Sequence, residues 1–171
     1  METVLVTGGA GFIGNNIAEA LASLGHRVIV LDDLSTGKQE NIAYLQQQCG
    51  EAISFYRGSI LDGNLVKGLL RDHAVTRICH QAACPSVAQS ILDPVSTSSV
   101  NIIGTINLFH LAAQHGCRRI VFASSCSIYG DTELMPINES VPFRSKSPYA
   151  ASKAAKEMLG GVFSSLYDME I

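Results

Sequence analysis

The stretch "VLVTGGAGFIGNNIAEAL", residues 4–21, holds four glycines within seven positions, directly after an apolar run and directly before an amphipathic pattern. Glycine loses more conformational entropy on folding than any other residue, so such a cluster needs a tight turn, backbone that approaches a ligand, or close packing of two elements. A strand that turns through glycines into a helix is the setting in which a pyrophosphate sits on a helix N-terminus. Two registers fit, Gly9-x-Gly11-x-x-Gly14 and Gly8-x-x-Gly11-x-x-Gly14, and both leave the backbone N–H groups of Phe12 and Ile13 free to donate. The next apolar run ends in Asp32, 18 residues beyond Gly14, near the spacing at which a carboxylate takes the adenosine ribose hydroxyls of a dinucleotide. A carboxylate there repels a 2′-phosphate, so NAD is the expected cofactor in preference to NADP.

Outward from this turn, short β-branched runs alternate with helical patterns. Strands are predicted at 3–7, 27–32, 53–57, 76–81 and 118–124, and helices at about 12–24, 62–72, 94–115 and 148–167. Four of the five strands are nearly continuous apolar runs, as expected for strands covered on both faces. The alternation specifies right-handed βαβ units: an α/β, doubly wound parallel sheet of the Rossmann type, with residues 1–171 read as one dinucleotide-binding domain. The helix predicted at 94–115 is apolar almost all round, which implies burial on more than one side. The segment 129–147 contains Pro136 and Pro142 and shows no periodicity, so it reads as a long functional loop. The closing "DMEI" looks like the start of a further strand, and a sheet ending at the fifth strand would leave an open edge.

Composition narrows the partners. Hydrophobic residues make up 47% and charged ones 16%, with a net charge of -3 and a pI near 5.9, so neither nucleic acid nor an anionic membrane is an expected partner. There is no apolar run of membrane-spanning length and no signal-peptide pattern after Met1, which points to the cytoplasm. The five cysteines are odd in number and contain no Cys-x-x-Cys pair, so buried free thiols are the better reading and no metal site is expected.

The second chemical constellation is "PYAASK", residues 148–153. Tyr149 and Lys153 stand four apart on a predicted helix and share a face, with Pro148 where a helix can begin. A phenol ordinarily titrates near pH 10, but a neighbouring ammonium and a cationic nicotinamide both favour phenolate, which makes Tyr149 usable as a base. Of the five tyrosines only Tyr149 has lysine at i+4, and it follows "ASSCSIYG", whose Ser124 and Ser125 lie at the C-terminal end of the fifth strand. Ligands of open α/β sheets bind outside that edge.

With these residues in place the sequence resembles the extended short-chain dehydrogenase/reductase family, and within it the nucleotide-sugar epimerases and dehydratases. "TGGAGFIG", "LDDLSTG", "HQAACPSVAQSILDP", "NIIGTINL", "SSCSIYG" and "SPYAASKAAKE" match in order over essentially the whole chain, the second and third most like UDP-glucose and UDP-N-acetylglucosamine 4-epimerases. The resemblance implies Gly8, Gly11, Phe12, Ile13 and Gly14 at the pyrophosphate, Asp32 at the ribose, Ser59 and Ile60 after strand three, and Ala82 and Ala83 along the cofactor. It implies Ser125, Tyr149 and Lys153 as the catalytic set, Ser86 with Ser125 and Tyr149 near a nucleotide-sugar substrate, and Asn101 in support. Ser125 is preferred to Ser124 because it stands four before Tyr129. It also implies a homodimer paired through the helices at 94–115 and 148–167. The family commonly carries Gly-Asp where this chain has Gly58-Ser59, a weaker acceptor for the adenine. It also runs to about twice a single-domain length, so a C-terminal substrate lobe is expected to be missing here.

Other polar residues read more simply. His80 is expected to be a packed, hydrogen-bonded histidine and not a base. Cys84 and Cys126 have no basic neighbour to make a thiolate. Asp33, Lys38 and Asp62 read as solvated or capping residues. Of the alternatives, a 4,6-dehydratase needs an Asp-Glu pair between the serine and tyrosine motifs, where only isolated Asp131, Glu133 and Glu139 occur. A non-catalytic NAD-binding or assembly fragment stays open.

Overall fold

The glycine turn sits at the centre of the sheet. In a computed structural model that describes residues 1–171, the strands are β1 (Thr3–Thr7), β2 (Arg27–Asp32), β3 (Ile53–Arg57), β4 (Arg77–His80) and β5 (Arg119–Phe122), all parallel, in the order β3-β2-β1-β4-β5. The order reverses between β1 and β4, and such a switch opens a crevice at the carboxyl ends of the strands. The helices are α1 (Phe12–Ser23), α2 (Gln39–Cys49), α3 (Gly63–Asp72), α4 (Val87–Leu92), α5 (Pro94–Ser98), α6 (Thr105–Gln114) and α7 (Pro148–Tyr167).

Alternation along β1 and β2 builds two cores. Val4, Val6, Val28 and Val30 face α1 and α2, where Ala18, Ile42 and Leu45 meet them. Leu5, Ile29 and Leu31 face the other way, joining Ile78 and Ile120 under Val66, Leu69 and Leu70 of α3 and Leu108, Phe109 and Ala112 of α6. Successive strand side chains point to opposite faces, so continuous Val/Ile/Leu runs fill both layers at once.

Several sequence expectations shift. The helix α2 went unpredicted because Ile42 and Leu45 are its only buried residues, too few to show a period. The short helix α4, capped by the Ser86 hydroxyl that accepts from the Gln89 N–H at 3.1 Å, was also missed. The single helix expected at 94–115 is α5, a π-helical turn at Ser99–Gly104 and α6. Its α6 part is buried on more than one side, against the sheet and against α3 and α7, while Val95 is 74% and Ile103 52% exposed. At the chain's end, the Ile120 N–H donates to Glu170 O at 2.8 Å and the Glu170 N–H to Arg118 O at 2.9 Å, so "DMEI" does begin a parallel pairing on the free edge of β5. No helix is long and apolar enough to cross a membrane.

Candidate functional site

At the carboxyl ends of β1, β2, β4 and β5 lies a cavity of about 400 Å³. The glycine turn forms one wall. Gly8 has φ +72°, and a Cβ on it would fall 2.6 Å from the Ala82 N, so only glycine lets β1 and β4 close there. A Cβ on Gly14 would stand 2.2 Å from Gly8 O, fixing the tight approach of α1 to the turn. Gly9 packs on Val30 and does not line the cavity, whereas Gly8, Gly11 and Gly14 do. Of the two registers, Gly8-x-x-Gly11-x-x-Gly14 is therefore the one that faces the cavity. Phe12, Ile13 and Gly14 occupy the first turn of α1, whose N–H groups have no partner within the helix, and its N-cap Gly11 supplies no side chain.

Asp32 ends β2 at the neighbouring wall. Its Oδ2 accepts from the Ala10 N–H at 3.0 Å and its Oδ1 from the Leu34 N–H at 2.8 Å, leaving further lone pairs toward the cavity. Ser59, Ile60, Ala82 and Ala83 complete the lining on that side, so every residue expected on the cofactor borders this one cavity. Ser35 and Thr36 of "LDDLSTG" and Gln81 of "HQAACPSVAQSILDP" also line it, although no spacing marks them individually.

Tyr149 and Lys153 come from the opposite side. The Ser147 hydroxyl caps α7 by accepting from the Ala150 N–H at 3.1 Å, and Pro148 occupies its first turn. Lys153 is 3% exposed; its Nζ donates to Ala123 O at 3.0 Å and lies 5.7 Å from the centre of the Tyr149 ring. Burial pushes the Lys153 amine down from its ordinary range. The serines divide differently from expectation. Ser124 lines the cavity and its hydroxyl is held by Glu157, while Ser125 lies outside the lining and caps the turn Cys126–Tyr129, accepting from the Ser127 N–H at 3.2 Å. Ser86 is exposed, also outside the lining. Asp131 pairs with Lys146, and Glu133 and Glu139 are exposed; none of the three borders the cavity.

Behind the wall formed by Ala82–Cys84, Asn101 is fully buried. Its Oδ1 accepts from the Cys84 N–H at 2.8 Å, and its Nδ2 donates to Cys84 O at 3.2 Å and to the Ser152 hydroxyl at 2.9 Å. His80 is fully buried too and is held well below the usual imidazole range by burial and by the charges of Lys156 and Lys153.

A crevice at the switch point, a glycine turn, the Asp32 carboxylate and the Tyr149–Lys153 pair thus share one cavity. The family model described as GDP-mannose 4,6 dehydratase matches residues 5–171. The chain belongs to this family. It is 39% identical over 167 residues to the UDP-glucose 4-epimerase of Mycolicibacterium smegmatis, spanning 97% of this chain and 52% of that protein. Among solved structures, a UDP-glucose 4-epimerase of Thermus thermophilus in complex with NAD superposes with a TM-score of 0.89 at 42% identity, covering 98% of this chain and 52% of that one. The dTDP-glucose 4,6-dehydratase DesIV of Streptomyces venezuelae, with NAD and TYD bound, gives 0.90 at 33% identity over 98% of this chain and 53% of its own. Epimerases and a dehydratase of this family thus share the fold, and the chain spans about half the length of the relatives it matches.

Proposed function

We propose that the chain is the NAD-binding half of a nucleotide-sugar 4-epimerase. The observation that carries this reading is that the open N-terminus of α1, Asp32 and the Tyr149–Lys153 pair line one cavity. The residues fit NAD. Phe12, Ile13 and Gly14 would hold the pyrophosphate and Asp32 the adenosine ribose; Ser59 and Ile60 would flank the adenine, Ala82 and Ala83 the dinucleotide, and Lys153 the nicotinamide ribose. NAD, when bound, supplies a hydride acceptor that returns the hydride, so no net oxidation results. Tyr149 takes the proton of the sugar 4-hydroxyl and gives it back to the other epimer once the 4-keto sugar has turned over. Lys153 favours the phenolate. Ser125 would share the proton in transit, because its hydroxyl accepts from the Ser127 N–H and hydroxyl and keeps its own hydrogen, with Ser86 at the sugar side; the Ser124 hydroxyl instead donates to Glu157.

The dehydratase reading is weaker, because it needs an adjacent Asp-Glu pair between the serine and tyrosine motifs, and Asp131, Glu133 and Glu139 stand apart, Asp131 being paired with Lys146. The test joins this chain to the C-terminal half of a full-length epimerase of the family and follows UDP-glucose to UDP-galactose by chromatography. Turnover is expected, with Tyr149→Phe lowering it by roughly 10²-fold or more. The chain alone is expected to show little, since a sugar not held in near-attack geometry loses most of the rate. NAD binding with no turnover in the fusion would instead favour a non-catalytic binding fragment.

The reading extends to a homodimer in the cytoplasm. Met158, Val162 and Leu166 recur every fourth residue along α7 and are 69%, 52% and 69% exposed, beside Leu92 and Val95 at 80% and 74%. Such a stripe suits helix pairing across a two-fold axis. Five unpaired cysteines suit a reducing compartment. Light scattering at tens of micromolar is expected to give twice the 18.2 kDa chain mass, and a monodisperse monomer would contradict the dimer.

A further inference from the structure

Five fully buried polar side chains, Thr7, His80, Thr105, Asn101 and Ser152, form two runs of hydrogen bonds behind the cavity wall that meet at Asn101. The direction of each bond follows from the donors available. Asn101 O can only accept, so the Thr105 hydroxyl donates to it, at 2.7 Å. That uses the one Thr105 proton, so Thr105 Oγ1 accepts from His80 Nε2 at 3.0 Å, and Nε2 must carry a hydrogen. At the other nitrogen, Thr7 Oγ1 lies 2.7 Å from Nδ1 and accepts from the Ala82 N–H at 3.3 Å. With Nδ1 bare, the Thr7 proton has its acceptor; with Nδ1 protonated, it has none. The Asn101 side chain then clamps both main-chain groups of Cys84 and donates to Ser152 Oγ, which donates to Tyr149 O at 2.7 Å. One directional run passes from the Ala82 amide to the Asn101 main-chain oxygen, a second from the Asn101 side-chain amide to the Tyr149 carbonyl, and the body of Asn101 joins them.

We propose that His80, locked as the neutral Nε2–H tautomer, is a positioning residue that ties the Ala82–Cys84 cavity wall to the turn carrying Tyr149. The proposal rests on the reading of that cavity as the NAD site. Both links matter because these two segments come from opposite sides of the cavity and share no strand ladder. His80 touches neither cofactor nor substrate in this role; it acts through Thr7, Thr105 and Asn101. Glutamine can replace it, since one amide oxygen and one amide nitrogen reproduce one acceptor and one donor at a spacing close to that of the two ring nitrogens. Leucine can replace neither.

The experiment uses the 171-residue chain. Long-range ¹⁵N–¹H NMR without ligand is expected to show His80 with a bare Nδ1 and a protonated Nε2, and the Ala82 and Cys84 amides protected from exchange. In His80→Leu, Ala82 exchange is expected to rise about tenfold or more and NAD affinity to fall about tenfold, the effect of losing one typical buried hydrogen bond. His80→Gln is expected to restore both. Should His80→Leu not fold, Thr105→Val provides the same reading, because cutting the relay at Thr105 must loosen the distant Ala82 amide. An Nδ1–H tautomer, or Ala82 protection and NAD affinity unchanged in the Leu or Val variant, would overturn the proposal. Wild-type chain that shows the tautomer and the protection yet binds no NAD would overturn the cofactor reading and the positioning role with it, leaving the relay as architecture alone.

Discussion

Lys156→Met is expected to raise the unfolding free energy by several kcal/mol (about 3–6) at pH 6, the scale set by an amine that titrates at about 7 in the fold and ordinarily at 10.5. Lys156 is 0% exposed, its Nζ has no hydrogen-bond partner, and the group lies 5.8 Å from the centre of the Phe122 ring. Burial first, and the charge of Lys153 second, push it down to about 7. The sign follows from linkage. Above pH 10.5 neither folded nor unfolded chain binds this proton, and the group has no effect. Between 10.5 and about 7 only the unfolded state takes it up, so stability falls as pH falls; below about 7 the loss is complete. Met matches the volume of the lysine stem and adds no buried polar atom. The gain in Lys156→Met should therefore shrink to about 2 kcal/mol at pH 9. Urea unfolding of both proteins at pH 6 and pH 9 checks it; an equal midpoint at pH 6 would mean that the amine finds water or a partner.

The second large effect concerns the cofactor's 2′ position. Asp32 is 8% exposed and both carboxylate oxygens are fixed by backbone N–H groups, so it cannot swing aside. A 2′-phosphate brought within about 4 Å meets a repulsion of about 4 kcal/mol per unit charge at an effective dielectric near 20. Salt screening and relaxation leave roughly 3 kcal/mol, so NADP is expected to bind about a hundredfold more weakly than NAD. Asp32→Asn removes the charge while keeping the shape and one acceptor, and is expected to bring the two affinities within about tenfold of each other. Competition between the two nucleotides by calorimetry measures this. Equal affinities in the wild type, or an unchanged ratio in Asp32→Asn, would remove Asp32 from the ribose.

What the sequence made legible follows from where information is local. The strands β1, β2 and β3 and the helix α7 have the residues expected of them, because an apolar run buried on both faces or a capped helix carries its own signal. Within α2 the signal is too sparse, with only Ile42 and Leu45 buried. The choice between glycine registers turned on contact: Gly9 meets Val30, which no spacing rule states. Ser124 and Ser125 are adjacent and alike in sequence, and only the chain's path separates the one that lines the cavity from the one that caps a turn. His80 is the packed, hydrogen-bonded histidine the sequence suggests, but its connection to the other buried polar residues was illegible for a deeper reason. These residues stand at positions 7, 80, 101, 105 and 152, on β1, β4, the π-helical turn and the helices α6 and α7. Threonine, asparagine, serine and histidine have no common period, and they meet only when the sheet closes.

A crystal structure of the 171-residue chain grown with saturating NAD decides whether this cavity is the cofactor site. The expected result is NAD along the cavity, its pyrophosphate on the N–H groups of Phe12 and Ile13, its adenosine ribose on Asp32 and its nicotinamide ribose beside Tyr149 and Lys153. NAD seated elsewhere, or a cavity left without it at saturation, would contradict the account.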